Sequence, residues 1–171
     1  MNWVVSDTGP LLHLYQIGAF DLFRIFESIH VTPMVLHELR RHAADLFDKG
    51  LHQSLIQASL SSRSVQQAHA WVNAQVLHAG EAEALAYAIE IKADVFLTDD
   101  TAARTLGEML GLKVRGTLGV VLYAAATKQL TFEEASQRLS DLEQSSSLWM
   151  SSKVRAAAHQ SLRSIFQATS D

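Results

Sequence analysis

The chain has 171 residues, 48% of them hydrophobic, which fits one domain with a core large enough to need no covalent cross-links. It contains no cysteine, which excludes disulfides, zinc–thiolate sites and thiol nucleophiles. The net charge of −4 excludes nucleic-acid binding through bulk positive charge, so a nucleic-acid substrate would need local compensation, for example by bound divalent cations.

Short apolar runs alternate with helix-favouring stretches along the first half of the chain. Runs between turn residues predict strands, and apolar residues repeated every three or four positions predict helices. In chain order we first predict a strand at residues 3–5, a helix that begins near Pro10 and ends at Gly18, and a helix over 19–26. A strand over 29–31 and a helix capped by Thr32 and begun by Pro33 come next. A strand at 55–56, a loop over 59–64 and a helix over 65–76 complete this half.

The second half of the chain opens with its clearest helix, over residues 81–90, which is rich in good helix formers. The pattern then predicts a strand over 95–98, a helix over 101–110 closed by Gly111, a strand over 112–114, a helix over 118–127, a capping-box helix from Thr131 to Leu142, a linker over 145–147 and an amphipathic helix over 151–167.

Strands that alternate with helices predict an α/β fold with a central, mainly parallel sheet. We expect a single domain over residues 1–171, with a core over about 1–127 and a C-terminal helical extension over about 131–168. The chain shows neither a signal-peptide pattern nor an apolar run long enough to span a membrane. We therefore expect a cytoplasmic protein with no membrane partner.

Acidic residues directly follow two of the predicted strands. Asp7 comes after the first strand, and Asp99 and Asp100 come after the strand over 95–98. Ligands of parallel sheets bind beyond the carboxyl ends of the strands, so these acids are expected at one edge of the sheet. Each of them also fits a turn or a helix cap, so no single position is informative.

Three glutamates in predicted helices are further candidates. Glu38 lies in an otherwise apolar helix, whereas Glu81 and Glu83 open an alanine-rich helix, where the helix dipole also favours acids. Hard cations such as Mg²⁺ and Mn²⁺ prefer oxygen ligands, and three or four carboxylates at a sheet edge are typical of two-metal phosphodiester hydrolysis.

Four motifs, in this order, resemble a PIN domain. They are V-V-S-D-T-G-P-L at residues 4–11, E-L at 38–39, G-E-A-E-A-L-A-Y-A at 80–88 and L-T-D-D-T-A-A-R at 97–104. The match continues over residues 111–120 and becomes looser in the C-terminal helices. The resemblance implies a three-layer α/β/α nuclease that uses Mg²⁺ or Mn²⁺ to cleave single-stranded RNA.

The resemblance also assigns the catalytic, metal-binding acids. It matches them to Asp7, Glu38, Glu83 and Asp100. Two alternatives remain open, because Glu81 could replace Glu83 and Asp99 could share or replace the role of Asp100, and only the motif register favours the first choice in each pair. Thr8 or Thr98 could hydrogen-bond to ligating carboxylates.

Many bacterial PIN proteins of this length are toxins of toxin–antitoxin pairs and are often homodimers. The resemblance therefore implies an RNA substrate, an antitoxin partner and a homodimer. Basic residues that could contact RNA phosphates are Arg40, Arg41, Lys113 and Arg115, although a solvated basic surface is the more common explanation for such residues. The rival interpretation is a non-catalytic PIN-like module that binds nucleic acid or protein and acts through a partner; the presence of all four acids favours the nuclease.

Overall fold

The structure is a computed structural model that describes residues 3–168. Five strands form one all-parallel sheet in the order β3-β2-β1-β4-β5, which confirms the predicted sheet. The strands are β1 (Trp3–Ser6), β2 (Ser28–Val31), β3 (Leu55–Gln57), β4 (Val95–Leu97) and β5 (Val114–Arg115). Helices flank the sheet, and the predicted three-layer α/β/α fold is confirmed.

The α-helices are α1 (Thr8–Gln16), α2 (Pro33–His42), α3 (Ala44–Asp48), α4 (Ser62–Asn73), α5 (Ala79–Glu90), α6 (Thr101–Met109), α7 (Thr117–Ala126), α8 (Phe132–Ser145) and α9 (Ser152–Gln167). Two 3₁₀ helices cover Phe20–Ile25 and Leu51–Ser54. Among the helices that the structure describes, none is both long and apolar enough to cross a membrane.

The chain folds into two compact units. Of the described residues, the first unit holds 3–12 together with Phe26–Gly116, and the second holds His13–Ile25 together with 117–168. The prediction of a single domain over the whole chain stays a prediction.

The sheet belongs to the first unit, where α5 packs against β1, β4, α2 and α4. All three residues of β4 are buried, as expected for a strand with neighbours on both sides in a parallel sheet. Val4, Val5 and Phe96 are completely buried and form the centre of this core. This packing fixes the ends of β1 and β4 in a rigid frame.

In the second unit α7, α8 and α9 pack against one another. Leu142 of α8 and Leu162 of α9 are buried there. Thr131 and Glu134 form the predicted capping box at the start of α8, with the Thr131 backbone N–H donating to the Glu134 carboxylate at 2.8 Å.

Several predicted boundaries were wrong. The segment 19–26 contains a 3₁₀ helix in place of an α-helix, because three residues per turn bring the rings of Phe20 and Phe23 together edge to face at 5.2 Å. Helix α1 starts at Thr8, so Pro10 lies at its third position, where its missing N–H costs nothing.

The remaining differences are short shifts and omissions. Ser61 caps α4, so the predicted loop over 59–64 ends earlier than expected. Strand β5 begins two residues later than the predicted strand over 112–114, and α8 extends to the first residue of the predicted linker. The short helices at Ala44–Asp48 and Leu51–Ser54 were not predicted.

Candidate acidic site

The carboxyl ends of β1 and β4 define the candidate site. β1 lies between β2 and β4, so the strand order changes direction between β1 and β4. Asp7 follows β1 directly, and Asp99 and Asp100 follow β4 after one residue. This is the topological switch point at which open parallel sheets bind their ligands.

Asp7 is the most buried acid of the site, with 3% of its surface exposed. Its Oδ1 accepts a 3.0 Å hydrogen bond from the Gly9 backbone N–H, and its Oδ2 accepts one from the Thr98 hydroxyl. Burial raises the pKa of Asp7 well above its usual value; the charges of Asp99 and Glu81 raise it further, while the two hydrogen bonds oppose the shift. A carboxyl group with such a perturbed pKa is typical of a functional site.

Glu38 reaches the site from the second turn of α2. It is half-buried, and the Thr8 hydroxyl donates a hydrogen bond to its Oε2. Gly80 of α5 faces this carboxylate so closely that a Cβ there would lie 2.7 Å from Oε1 and 2.8 Å from Cδ of Glu38. The absence of a side chain at Gly80 therefore makes room for the Glu38 carboxylate.

Glu81 belongs to the same group of acids. Its carboxylate accepts a 2.8 Å hydrogen bond from the His78 backbone N–H and completes the capping box of α5. Burial raises the pKa of Glu81; the charges of Asp100 and Glu38 raise it further, and the hydrogen bond and charge of His78 oppose the shift. Glu81 thus lies within the electrostatic field of three other acids of the site.

Glu83 has different neighbours. Its Oε2 accepts a 3.2 Å hydrogen bond from the Met34 backbone N–H at the start of α2, and its side chain lines a separate cavity. The choice of Glu83 as the third acid, with Glu81 as its alternative, stays a prediction: Glu83 contacts the start of α2, and the charge of Glu81 acts on Asp7.

Asp99 and Asp100 both border the site. Asp100 caps α6, its Oδ1 accepting from the Ala103 backbone N–H at 2.7 Å, and its own backbone N–H donates to the Thr98 hydroxyl oxygen at 3.1 Å. The Asp99 carboxylate lies against Gly116, where a Cβ would come within 2.6 Å of its Oδ1. Asp99 raises the pKa of Asp7 and Asp100 raises that of Glu81, so neither acid is distinguished as the ligand.

The chemistry of these donors fits a hard divalent cation. Every candidate is a carboxylate, and Mg²⁺ and Mn²⁺ prefer such oxygen ligands. Neighbouring acids raise the pKa values of Asp7 and Glu81, a repulsion that a bound cation would relieve. Within residues 3–168, however, no three His, Cys, Asp or Glu side chains lie close enough together to form a ready metal site.

The four predicted RNA-contacting residues lie in different environments. The Arg40 guanidinium lies 4.6 Å above the centre of the Phe47 ring, Arg41 and Lys113 are exposed, and Arg115 is half-buried in β5. Arg104 was not predicted from the sequence as a site residue; its Nη2 donates to the Thr98 carbonyl at 3.1 Å. Its position at the end of the L-T-D-D-T-A-A-R motif was the available signal.

Fold and site together define an α/β protein with a cluster of acids at the switch point of a parallel sheet. A family model for a PIN domain matches residues 3–164, and the chain belongs to the PIN-domain family. PIN domains are generally nucleases and typically use divalent metals, which supports a hydrolase in general. No curated protein matches the chain.

Proposed function

We propose that this protein is a metal-dependent endoribonuclease that cleaves single-stranded RNA with carboxylate-bound Mg²⁺ or Mn²⁺. The observation that carries the proposal is the position of the buried Asp7 carboxylate at the switch point of the sheet, where Asp99 and Asp100 follow the neighbouring strand β4. Carboxylates gathered at a ligand-binding edge of a parallel sheet are typical of a site completed by a hard cation.

The residues that would hold the metal are Asp7, Glu38, Glu81 and one or both of Asp99 and Asp100. A bound divalent ion supplies a water of lowered pKa as nucleophile and stabilises the charge that develops on the phosphate. The prediction of Glu83 as the third ligand rests on motif register, and the choice between Glu81 and Glu83 is open to a direct test.

Neighbouring residues hold the acids in place. Thr98 and the Gly9 backbone N–H bind the two oxygens of Asp7, which fixes the orientation of its carboxylate. Thr8 donates to Glu38 in the same way, and Gly80 leaves the space that the Glu38 carboxylate occupies. Such support matters because a displacement of about 1 Å in a catalytic group can cost on the order of 100-fold in rate.

The same proposal includes a biological setting, which rests on the family resemblance and the size of the chain. The protein would act in the cytoplasm as the toxin of a toxin–antitoxin pair, as a homodimer whose active-site groove an antitoxin segment enters. Induced expression of the wild-type chain should then arrest bacterial growth, and Asp7→Asn should not. Normal growth at equal levels of both soluble proteins would contradict the toxin role.

Cleavage of a mixed panel of single-stranded and hairpin RNAs tests the nuclease itself. Wild type and Asp7→Asn would be compared in Mn²⁺ and in excess chelator, because Asp→Asn removes the charge at nearly constant shape. We expect cleavage only by the wild type and only with metal. Absence of cleavage under every condition would contradict the proposal and favour the non-catalytic module.

A further inference from the structure

A second feature of the first unit lies at the same edge of the sheet as the acids. It is an open cavity of about 490 Å³, whose lining includes Pro33, Gln57, Ser59, Leu60, Val65 and Glu83. Pro33 opens α2 just after β2, and Gln57 is the last residue of β3. The cavity therefore lies beyond the carboxyl ends of β2 and β3, and the acids lie beyond those of β1 and β4.

The packing of α2 against α5 relates the cavity to the acids. Met34 contacts Glu83, whereas Glu38, four residues further along α2, contacts Gly80, three residues earlier in α5. The two helices thus run antiparallel, and the contacts are one helical turn apart, roughly 5 Å. Glu83 is a neighbour of the acidic site that faces a different space.

The lining combines apolar faces with polar groups. Pro33, Leu60 and Val65 offer apolar surface, and the exposed side chains of Gln57 and Ser59 offer hydrogen-bond donors and acceptors. An unstacked nucleobase needs this combination, because its flat face packs against apolar side chains while its edge forms hydrogen bonds.

Glu83 gives the cavity a chemical preference. The Met34 N–H binds its Oε2, which orients the carboxylate and leaves Oε1 able to accept from a ligand. A carboxylate accepts from an exocyclic amino group, such as that of adenine or cytosine. It repels the carbonyl oxygen that uracil presents at the same position.

We propose that this cavity is a base-binding subsite that receives one unstacked, amino-bearing base of the RNA strand whose backbone crosses the acidic site. The inference rests on the proposed function, since it takes single-stranded RNA as the substrate. The span suits a single strand, because β3 lies two strand spacings, roughly 10 Å, from β1.

Binding to the cleavage-deficient Asp7→Asn chain tests the subsite without any need for catalysis. The probes are 5′-labelled hexaadenylate and hexauridylate, measured by fluorescence anisotropy in Mg²⁺. We expect hexaadenylate to bind roughly fivefold more tightly, as one favourable base contact allows. Adding Glu83→Gln should remove this preference, because an amide also donates to uracil.

Glu133→Gln is the matched control, since it removes the same charge from an exposed residue in the first turn of α8. The preference should survive it. Equal or undetectable binding of the two hexamers, or a preference that survives Glu83→Gln, would overturn the subsite. The single variant Glu83→Gln could also lose metal-dependent cleavage as completely as Asp7→Asn does. That result would overturn the subsite as well, because Glu83 would then be a metal ligand. Selective binding by a chain whose wild type cleaves no RNA would refute only the nuclease.

Discussion

Replacing Gly80 with alanine perturbs one contact of the acidic site without touching an acid. The new Cβ would lie 2.7 Å from Oε1 of Glu38, whereas ordinary contact begins at 3.4 Å. The carboxylate must therefore retreat by at least about 0.7 Å, the difference between these two distances. It is the far end of a flexible side chain, so it can move at little cost in stability.

The two readouts of Gly80→Ala should move in opposite directions. Alanine in a helix is favoured over glycine by up to about 1 kcal/mol, so the free energy of unfolding should stay constant or rise slightly. Cleavage should fall by roughly 10- to 100-fold, because Glu38 leaves its position beside Thr8. Denaturant unfolding in chelator measures the stability, and single-turnover RNA cleavage in saturating Mn²⁺ measures the activity.

A double-mutant cycle with Glu38→Ala isolates the contact. Without the Glu38 side chain the three atoms nearest to the new methyl group are absent, so Gly80→Ala should show its full helix-propensity gain and no further loss of activity. Wild-type cleavage by the Gly80→Ala chain would refute the inference that Gly80 positions Glu38.

Three further predictions concern the acids and their support. Because burial raises the pKa of Asp7, this residue favours folding at acidic pH, and the contribution is lost as the pH rises through its raised pKa. In chelator, Asp7→Asn should therefore be more stable than wild type at neutral pH. A pH series of melting temperatures in which this difference does not shrink on acidification would contradict the reasoning. Mn²⁺ should raise the melting temperature of wild type and Glu83→Gln but not of Glu81→Gln, and the reverse pattern would restore Glu83 as the ligand. Thr98→Val removes the hydrogen bond to Asp7 and the one from the Asp100 backbone N–H, so it should lower the free energy of unfolding in urea by about 1–3 kcal/mol. An unchanged urea midpoint would show that these bonds contribute nothing.

Local signals account for the parts of the fold that were predicted correctly. Thr32 with Pro33, and Thr131 with Glu134, fix helix starts through bonds within a few residues, so the sequence alone reveals them. The 3₁₀ helix at Phe20–Ile25 was not predicted because its geometry depends on the packing of aromatic rings. The spacing of apolar residues in the sequence does not reveal that packing.

The acids of the site were predicted as a set, but their individual placement was not. Glu81 and Glu83 point about 200° apart around α5, and the rotation of that helix is set by its packing against α2 and β1. The motif G-E-A-E-A contains no local signal for that rotation. The contact between Gly80 and Glu38 was likewise invisible, because it joins two helices far apart in sequence.

The dependence of the RNA cleavage rate on Mn²⁺ concentration, measured for wild type and for Asp7→Asn purified in parallel, tests the metal-dependent nuclease most directly. The parallel purification carries the same trace contaminants in both samples, so any difference belongs to Asp7. We predict a wild-type rate that rises to saturation with Mn²⁺ and vanishes in chelator, and no cleavage by Asp7→Asn at any Mn²⁺ concentration. Equal rates for the two proteins, or wild-type cleavage that persists in chelator, would contradict the assignment.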